Sequence, residues 1–557
     1  MDEQPRAVSA SRRDAAPVQG EFIRRTILGE VSLATDSPLQ LDSRGIRLDD
    51  ATIQGDLDLT AIEFDRPIVF SRCNFAGAIN LAGSRLDTFT LRDCRAISID
   101  ACGARLRGDL TISGGSLENP GGFAFNGQSM SVGGSVLFVD DSLAVGAVSV
   151  AYAAIEGRLI CNGTFRNPLE RVNSLTWFTP LRSAINGFGV RVGRSLAFSS
   201  TSLKGKFRVE GFVILMNANV TDGIYIVAGS FSPGARSWKP QECDLQGDPA
   251  TRYAIESGTG LSLHNAQFGE LILNGIEHFE GLLSLRAARM RNIADDGTLW
   301  QIPGTGRARS GVALELDGCN YTTFTNSMTA QTPTDWRTRL EWLKAQLPQH
   351  LTSEFCSQPF TQCAEVLRKM GDQHGARMLL FERERLRLRS PAGSLWEKIT
   401  GRALGLVAGH GYKSYYALYW ALGVWLAGGA VFGVANRLDE MRPASEHVLV
   451  DERYQRTGEI PKDYEPLKPL LYSADILLPI VDIGQERYWL PRDAGERAAD
   501  AARAFPRLPG WTAATLDWLF GGWLPKSYYY FEIAMGWILV SIAVAGFSGH
   551  LGHKSEE

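Results

Sequence analysis

From about residue 45 the chain alternates apolar and polar residues in short bursts, each introduced by a glycine or another small residue. "GIRLDDATIQGDLDLT" opens the series, and "DLDL", "IVF", "INL", "FTL", "ISI" and "DLTI" follow about every ten residues. Alternation over four or five positions puts the apolar side chains on one face of a strand. Glycine at the intervening turns takes up backbone conformations that other residues avoid. One coil of this size cannot bury its apolar face alone, whereas stacked coils share a core. The pattern predicts a mainly β chain in which residues 20–325 form a parallel β-helix, a pentapeptide-like solenoid with loop insertions. Leu57, Leu59, Ile79, Leu81, Phe89, Leu91, Ile97, Ile99, Leu110 and Ile112 are the expected inward positions. A β-sandwich uses similar short strands and is the competing arrangement; the scarcity of hairpin dipeptides favours the solenoid.

The rhythm decays after residue 160. "TFRNPLERVNSLTWFTPLRSAINGFGV" and "GSFSPGARSWKPQECDLQGDPATRYAIESGTG" read as loops projecting from the coils, where binding residues commonly lie. Residues 1–19 lack the apolar stretch of a secretory signal and read as a disordered lead. Between 331 and 400 the period becomes helical: Cys363, Val366, Leu367 and Met370 share one face, and Ala376, Leu379, Leu380 and Leu386 form a second stripe after "GDQHG". This predicts a helical hairpin leading into a basic juxtamembrane segment.

Two longer apolar runs follow. "YYALYWALGVWLAGGAVFGVA" has no charge over residues 415–435, and about 20 apolar residues suffice to span a bilayer. The second run, "IAMGWILVSIAVAGFSG", is preceded by "SYYYF". Transmembrane helices are expected at 412–435 and 528–550, with Gly423, Gly428, Gly429 and Gly433 leaving small surfaces for close helix contact. Arg383, Arg385, Arg387, Arg389, Lys398, Arg402 and Lys413 crowd ahead of the first run, which favours a cytoplasmic N-terminal side and contact with anionic lipid. Residues 436–527 carry twelve Lys or Arg against fifteen Asp or Glu, a balance suited to an extracytoplasmic loop. The tail, 551–557, returns to the cytoplasm, which gives a two-pass inner-membrane protein with both ends inside.

Within that loop, "YSADILLPIVDIGQERYWLP" (472–491) is apolar but too short to cross. A helix from Tyr472 to Gln485 would reach only ~21 Å, and Pro479 would kink it. An interfacial segment is expected, with Ile476, Leu477, Leu478, Ile480, Val481 and Ile483 toward membrane or transmembrane helices. A pore helix is the alternative, in which Asp475 and Asp482, seven residues apart, line an oligomer's axis.

Composition excludes more than it assigns. A net charge of −4 leaves no electrostatic footprint for nucleic acid. Eight cysteines form no CxxC pair, so they read as buried, reduced thiols rather than a zinc or redox site. The eight histidines offer no convincing ligand pair, and Walker A, GxGxxG, HExxH and GxSxG motifs are absent. The aspartates of the coils, such as Asp56, Asp58 and Asp109, are expected in turns or at solvent. No catalytic residue, cofactor or metal site is assigned.

"GIRLDDATIQGDLDL", "PFTQCAEVLRKMGDQHGAR", "GHGYKSYYALYW" and "YSADILLPIVDIGQERYW" together resemble a family of bacterial membrane proteins with a cytoplasmic pentapeptide-like solenoid and a C-terminal two-helix membrane unit. Its members are often labelled membrane-associated oxidoreductases, and the resemblance brings with it no catalytic residue. The expected function is a membrane-anchored scaffold or sensor that presents its solenoid to a cytoplasmic protein. Membrane lipid and other copies of the chain, met through the transmembrane helices, are its further expected partners. An oligomeric channel gated by the solenoid, and an oxidoreductase, are the alternatives.

Overall fold

The computed structural model describes residues 17–31, 43–167, 183–199, 207–232, 260–279, 281–297, 299–302, 307–308, 312–327, 331–391, 401–402, 405, 416–457, 460–461, 463–493, 504–506, 509–520 and 523–547. It has two compact units, residues 1–391 and 392–557. Of the projecting loops expected at 164–190 and 229–260, residues 168–182 and 233–259 lie outside the described residues, whereas 164–166, 183–186 and 229–232 are paired strands rather than loop.

Among the described residues, the first unit is dominated by one parallel sheet of 33 strands. Each strand pairs with another roughly one repeat away, so the apolar positions of the sequence become continuous columns. One column runs Ile46, Ile68, Phe89, Leu110, Val136, Leu159, Leu196, Ile224, Leu271, Ile293 and Phe324. All of its members are buried. Phenylalanines stack along the core, with Phe138, Phe165, Phe207, Phe231 and Phe279 at successive ring separations of 5.8, 5.9, 5.6 and 5.1 Å. Of the ten expected inward residues only Ile97 faces out, at 42% exposure. It sits in the turn between strands Arg95–Ala96 and Ile99–Asp100, where the alternation is interrupted.

The turns repeat as faithfully as the strands. Asp58, Asn80, Asp100 and Asn186 each accept a hydrogen bond from the backbone N–H two residues ahead, at 2.9–3.0 Å. The residue after that N–H, namely Ala61, Gly83, Gly103 and Gly189, has positive φ. A short acidic or amide side chain thus closes each turn and sets the next strand's direction. Asp56 and Asp109 instead accept from Ala78 and Ser135 of neighbouring strands, at 2.8 and 2.6 Å.

Both ends of the sheet carry helices. At the start, Val18–Gln19 pairs with Ile53 and Gln54, so these two residues are a strand rather than part of a disordered lead. Helix α1 (Gly20–Ile27) follows, with Ile23 buried. At the far end come α2 (Trp336–Lys344), α3 (Gln358–Lys369) and α4 (Gln373–Arg387). The last two pair as a hairpin through Cys363, Val366, Leu367, Ala376, Leu379 and Leu380, all buried. Met370, expected on the same face, is 40% exposed because the helix has ended and the chain turns at Gly371. The column Phe198, Ile226, Leu273 ends on a polar rung, Asp295. Arg339 of α2 closes it with two hydrogen bonds of 2.9 and 2.8 Å while lying over the Phe324 ring at 3.8 Å. Neither side chain is solvated, at 0% and 1% exposure.

In the second unit, α5 (Tyr416–Arg437) and α8 (Leu524–Phe547) are each long and apolar enough to cross a membrane. Between them in sequence are α6 (Pro469–Leu477), α7 (Gly510–Phe520) and a two-stranded antiparallel pair that joins Met441–Pro443 to Trp489–Pro491. Phe432, Ala435, Leu438, Met441, Leu467, Tyr472, Ile476, Trp489 and Phe520 form its core.

Candidate functional site: a carboxylate between two apolar helices

Helix α6 packs against both α5 and α8, and glycine is what lets it come so close. A Cβ on Gly428 of α5 would collide with the Ser473 hydroxyl and the Glu532 carboxylate. A Cβ on Gly536 of α8 would strike the Leu477 carbonyl. Gly429 and Gly433 face Leu470 and Pro469. The small surface of α5 is therefore occupied by the chain's own 469–473 segment, and close helix contact takes place within one chain.

The notch at Gly428 holds Glu532, a carboxylate in the first half of α8 just before its long apolar run, with no exposure to solvent. Its Oε1 accepts from the Ser473 hydroxyl at 2.5 Å, and that hydroxyl also lies 2.9 Å from the Trp425 carbonyl. Its Oε2 has no hydrogen-bond partner among the described residues. The Tyr472 hydroxyl, also buried, likewise has none. Two further bonds tie the three helices together: Trp425 Nε1 donates to the Leu470 carbonyl and the Tyr528 hydroxyl to the Val424 carbonyl, both at 2.9 Å. Ser473 and Glu532 thus link α5, α6 and α8 at one point, chemically a hydroxyl–carboxylate joint in an apolar setting.

Sequence reading passed over Glu532 because it stands one residue before the run that begins at Ile533. The usable signal was its position, directly between the aromatic flank Tyr528–Phe531 and the apolar run of the same helix.

The residues singled out from sequence are placed differently. Helix α6 ends at Leu477, so Asp475 and Asp482 do not share a helical face. Asp475 is buried and accepts from the Ile483 and Glu486 backbone N–H groups at 2.6 and 2.8 Å, which folds the chain back after the helix. Asp482 is exposed and ion-paired with Arg487. Ile476 and Leu477 are buried, while Leu478, Ile480, Val481 and Ile483 are exposed. The 478–487 turn and Ile533 and Trp537 of α8 border a cavity of about 400 Å³.

Among the basic residues, Arg383 is a correction: it is buried, bonded to Glu384 and to the Thr361 hydroxyl at 2.8 Å, and so does not face lipid. Arg385 and Arg387 pair with Glu382 and Glu384 one turn back, at 3.4 and 2.9 Å. Arg389 and Arg402 are exposed, and Lys398 and Lys413 lie outside the described residues. No group of three metal-ligating side chains occurs among the described residues. Compared with protein-family models, curated proteins and solved structures, the chain matches none.

Proposed function

We propose that the protein is a membrane-anchored scaffold or sensor. In this reading the parallel sheet of residues 46–324 winds as a pentapeptide-like solenoid and offers its regular surface to a cytoplasmic partner. Helices α5 and α8 cross the bacterial inner membrane, with residues 436–527 outside. The in-register apolar columns support the solenoid, because a single column can be followed through eleven rungs without a change of sheet. Outward Leu418, Leu422, Leu426, Trp537, Ile538 and Val544 support lipid around the two helices.

The observation that carries the reading beyond an anchor is Glu532. Ionisable groups inside membrane helices are expensive, and they are kept where they do something. Here the carboxylate latches α6 to both crossing helices through Ser473 and Gly428. A change in that latch moves the 472–491 segment, which makes the segment the responsive part of the sensor. Asp475 is committed to its own turn, so the acidic ring of the channel alternative loses one of its two members.

The test uses the full-length protein in liposomes. Limited trypsin cleavage after the exposed Arg487 should speed up several-fold in Gly428→Leu, which displaces the carboxylate, and no ion flux should be seen at any voltage. Cleavage at the parental rate would contradict the latch, and a cation flux lost in Asp482→Asn would move the assignment to a channel.

A further inference from the structure

Along one exposed edge of the first unit, the strand register stacks Glu63 beside Arg85, Arg85 beside Arg105, and Arg105 beside Ser131. Neighbours in adjacent strands lie about 4.8 Å apart, a spacing at which like charges repel. Among the described strands this is the only rung where two arginines meet in register. Glu63 relieves Arg85 through an ion pair. The Arg105 guanidinium has no hydrogen-bond or ion-pair partner among the described residues, and the residue's other neighbour is the uncharged Ser131.

These side chains, with Arg66 and Arg107, line a groove of about 810 Å³ beside the end of α1. Arg107 is held by the Asp65 carbonyl at 3.0 Å and the Asp87 carboxylate at 3.4 Å. Counting Glu63, Asp65 and Asp87 against Arg66, Arg85, Arg105 and Arg107 leaves one positive charge in excess, and the register assigns it to Arg105.

We propose that this groove binds a phosphate monoester of a small soluble molecule, with Arg105 as its principal ligand, Arg85 as the second and the Ser131 hydroxyl as a further donor. Guanidinium groups match phosphate oxygens in pairs, and two stacked guanidiniums offer more donors than the two oxygens of a carboxylate can use. A phosphate monoester has three acceptor oxygens and a charge of about −1.5 to −2 at neutral pH, enough to bridge both arginines and end their repulsion. The groove's volume lies within the ~300–1,000 Å³ usual for small-molecule sites and leaves room for the organic part. Glu63 is the internal competitor, since it occupies Arg85 when no phosphate is bound. The site does not depend on how the second unit meets a membrane.

Calorimetric titration of the full chain in detergent with glycerol 3-phosphate tests the assignment, with acetate and sodium chloride at matched ionic strength beside it. Saturable binding of the phosphate alone is expected. Arg105→Gln should weaken it at least tenfold, and Arg95→Gln, an exposed arginine outside the groove, should leave it unchanged. Glu63→Gln should tighten binding several-fold by freeing Arg85, a gain that a structural role for these residues would not produce. Phosphate binding no stronger than chloride's, or an Arg105→Gln variant that binds like the parent, overturns the site. A Glu63→Gln variant that binds no tighter overturns the sharing of Arg85.

Discussion

Among the carboxylates that the two units bury, Asp295 and Glu532 are treated in opposite ways. Asp295, in the sheet-based unit, has both oxygens bonded to one guanidinium that is itself buried against Phe324. Glu532, in the helical unit, has one oxygen bonded to a neutral hydroxyl and the other to nothing among the described residues. A charge taken out of water is tolerable when a partner of opposite sign and full hydrogen bonding accompany it. Asp295 meets that condition, so it reads as a structural closure where the apolar column runs out and α2 covers it. Glu532 does not meet it, and a group left half-satisfied between packed helices can change its bonding with little rearrangement. The contrast separates a fully paired seal from the half-satisfied group that the proposed function uses as a latch.

The sharpest way to break this comparison is to remove one partner from the seal. Arg339→Ala should destabilise the first unit by about 3–5 kcal/mol, because Asp295 is then buried and alone. Replacing both, Asp295→Leu with Arg339→Met, should recover most of that loss in denaturant unfolding. If the single and double variants unfold alike, the pair does not close the column as described.

A smaller effect separates the two aspartates after α6. Asp475→Ala should cost about 1.5–3 kcal/mol, since two backbone N–H groups lose a charged acceptor. Asp482→Asn, at an exposed ion pair, should change stability by less than about 1 kcal/mol. Equal effects in thermal unfolding would mean that the turn is not held by Asp475.

The smallest effect is a slope in pH. Burial pushes the thiols of Cys161 and Cys319 up to about 12 and that of Cys363 up to about 11, from 9.0. The folded state keeps these protons longer than the unfolded chain does. Stability present below pH 9 should therefore fall as pH rises toward 11–12, by up to about 1.4 kcal/mol per pH unit for each thiol. Unfolding followed between pH 8 and 11 should show a flatter slope in Cys363→Ala, and an unchanged slope would mean that this thiol is not buried when folded.

Much of the first unit was legible in the sequence because its physics is local and repeated. Leu57, Ile79, Phe89 and Leu110 recur with turn residues between them, and each repeat states the same inward face. What the repeat could not state was its termination: Asp295 stands in an apolar column, and only Arg339, 44 residues later, explains it. The two long apolar helices were also legible, from length and lack of charge. Their joint was not, since Gly428, Ser473 and Glu532 are separated by 45 and then 59 residues and none is unusual alone. The i, i+7 spacing of Asp475 and Asp482 misled because Leu477 ends the helix before the second residue is reached.

The proposed anchoring puts residues 436–527 across the membrane from both chain ends, and side-specific labelling tests it most directly. Every native cysteine lies at or before Cys363, so a cysteine introduced at Val450, which is 74% exposed, is the second unit's sole thiol. In right-side-out membrane vesicles a membrane-impermeant maleimide should modify Val450→Cys at once, and a cysteine at Ser9 only after the vesicles are opened. Labelling of both positions at the same rate in sealed vesicles, or protection of Val450→Cys with Ser9→Cys exposed, would contradict the account.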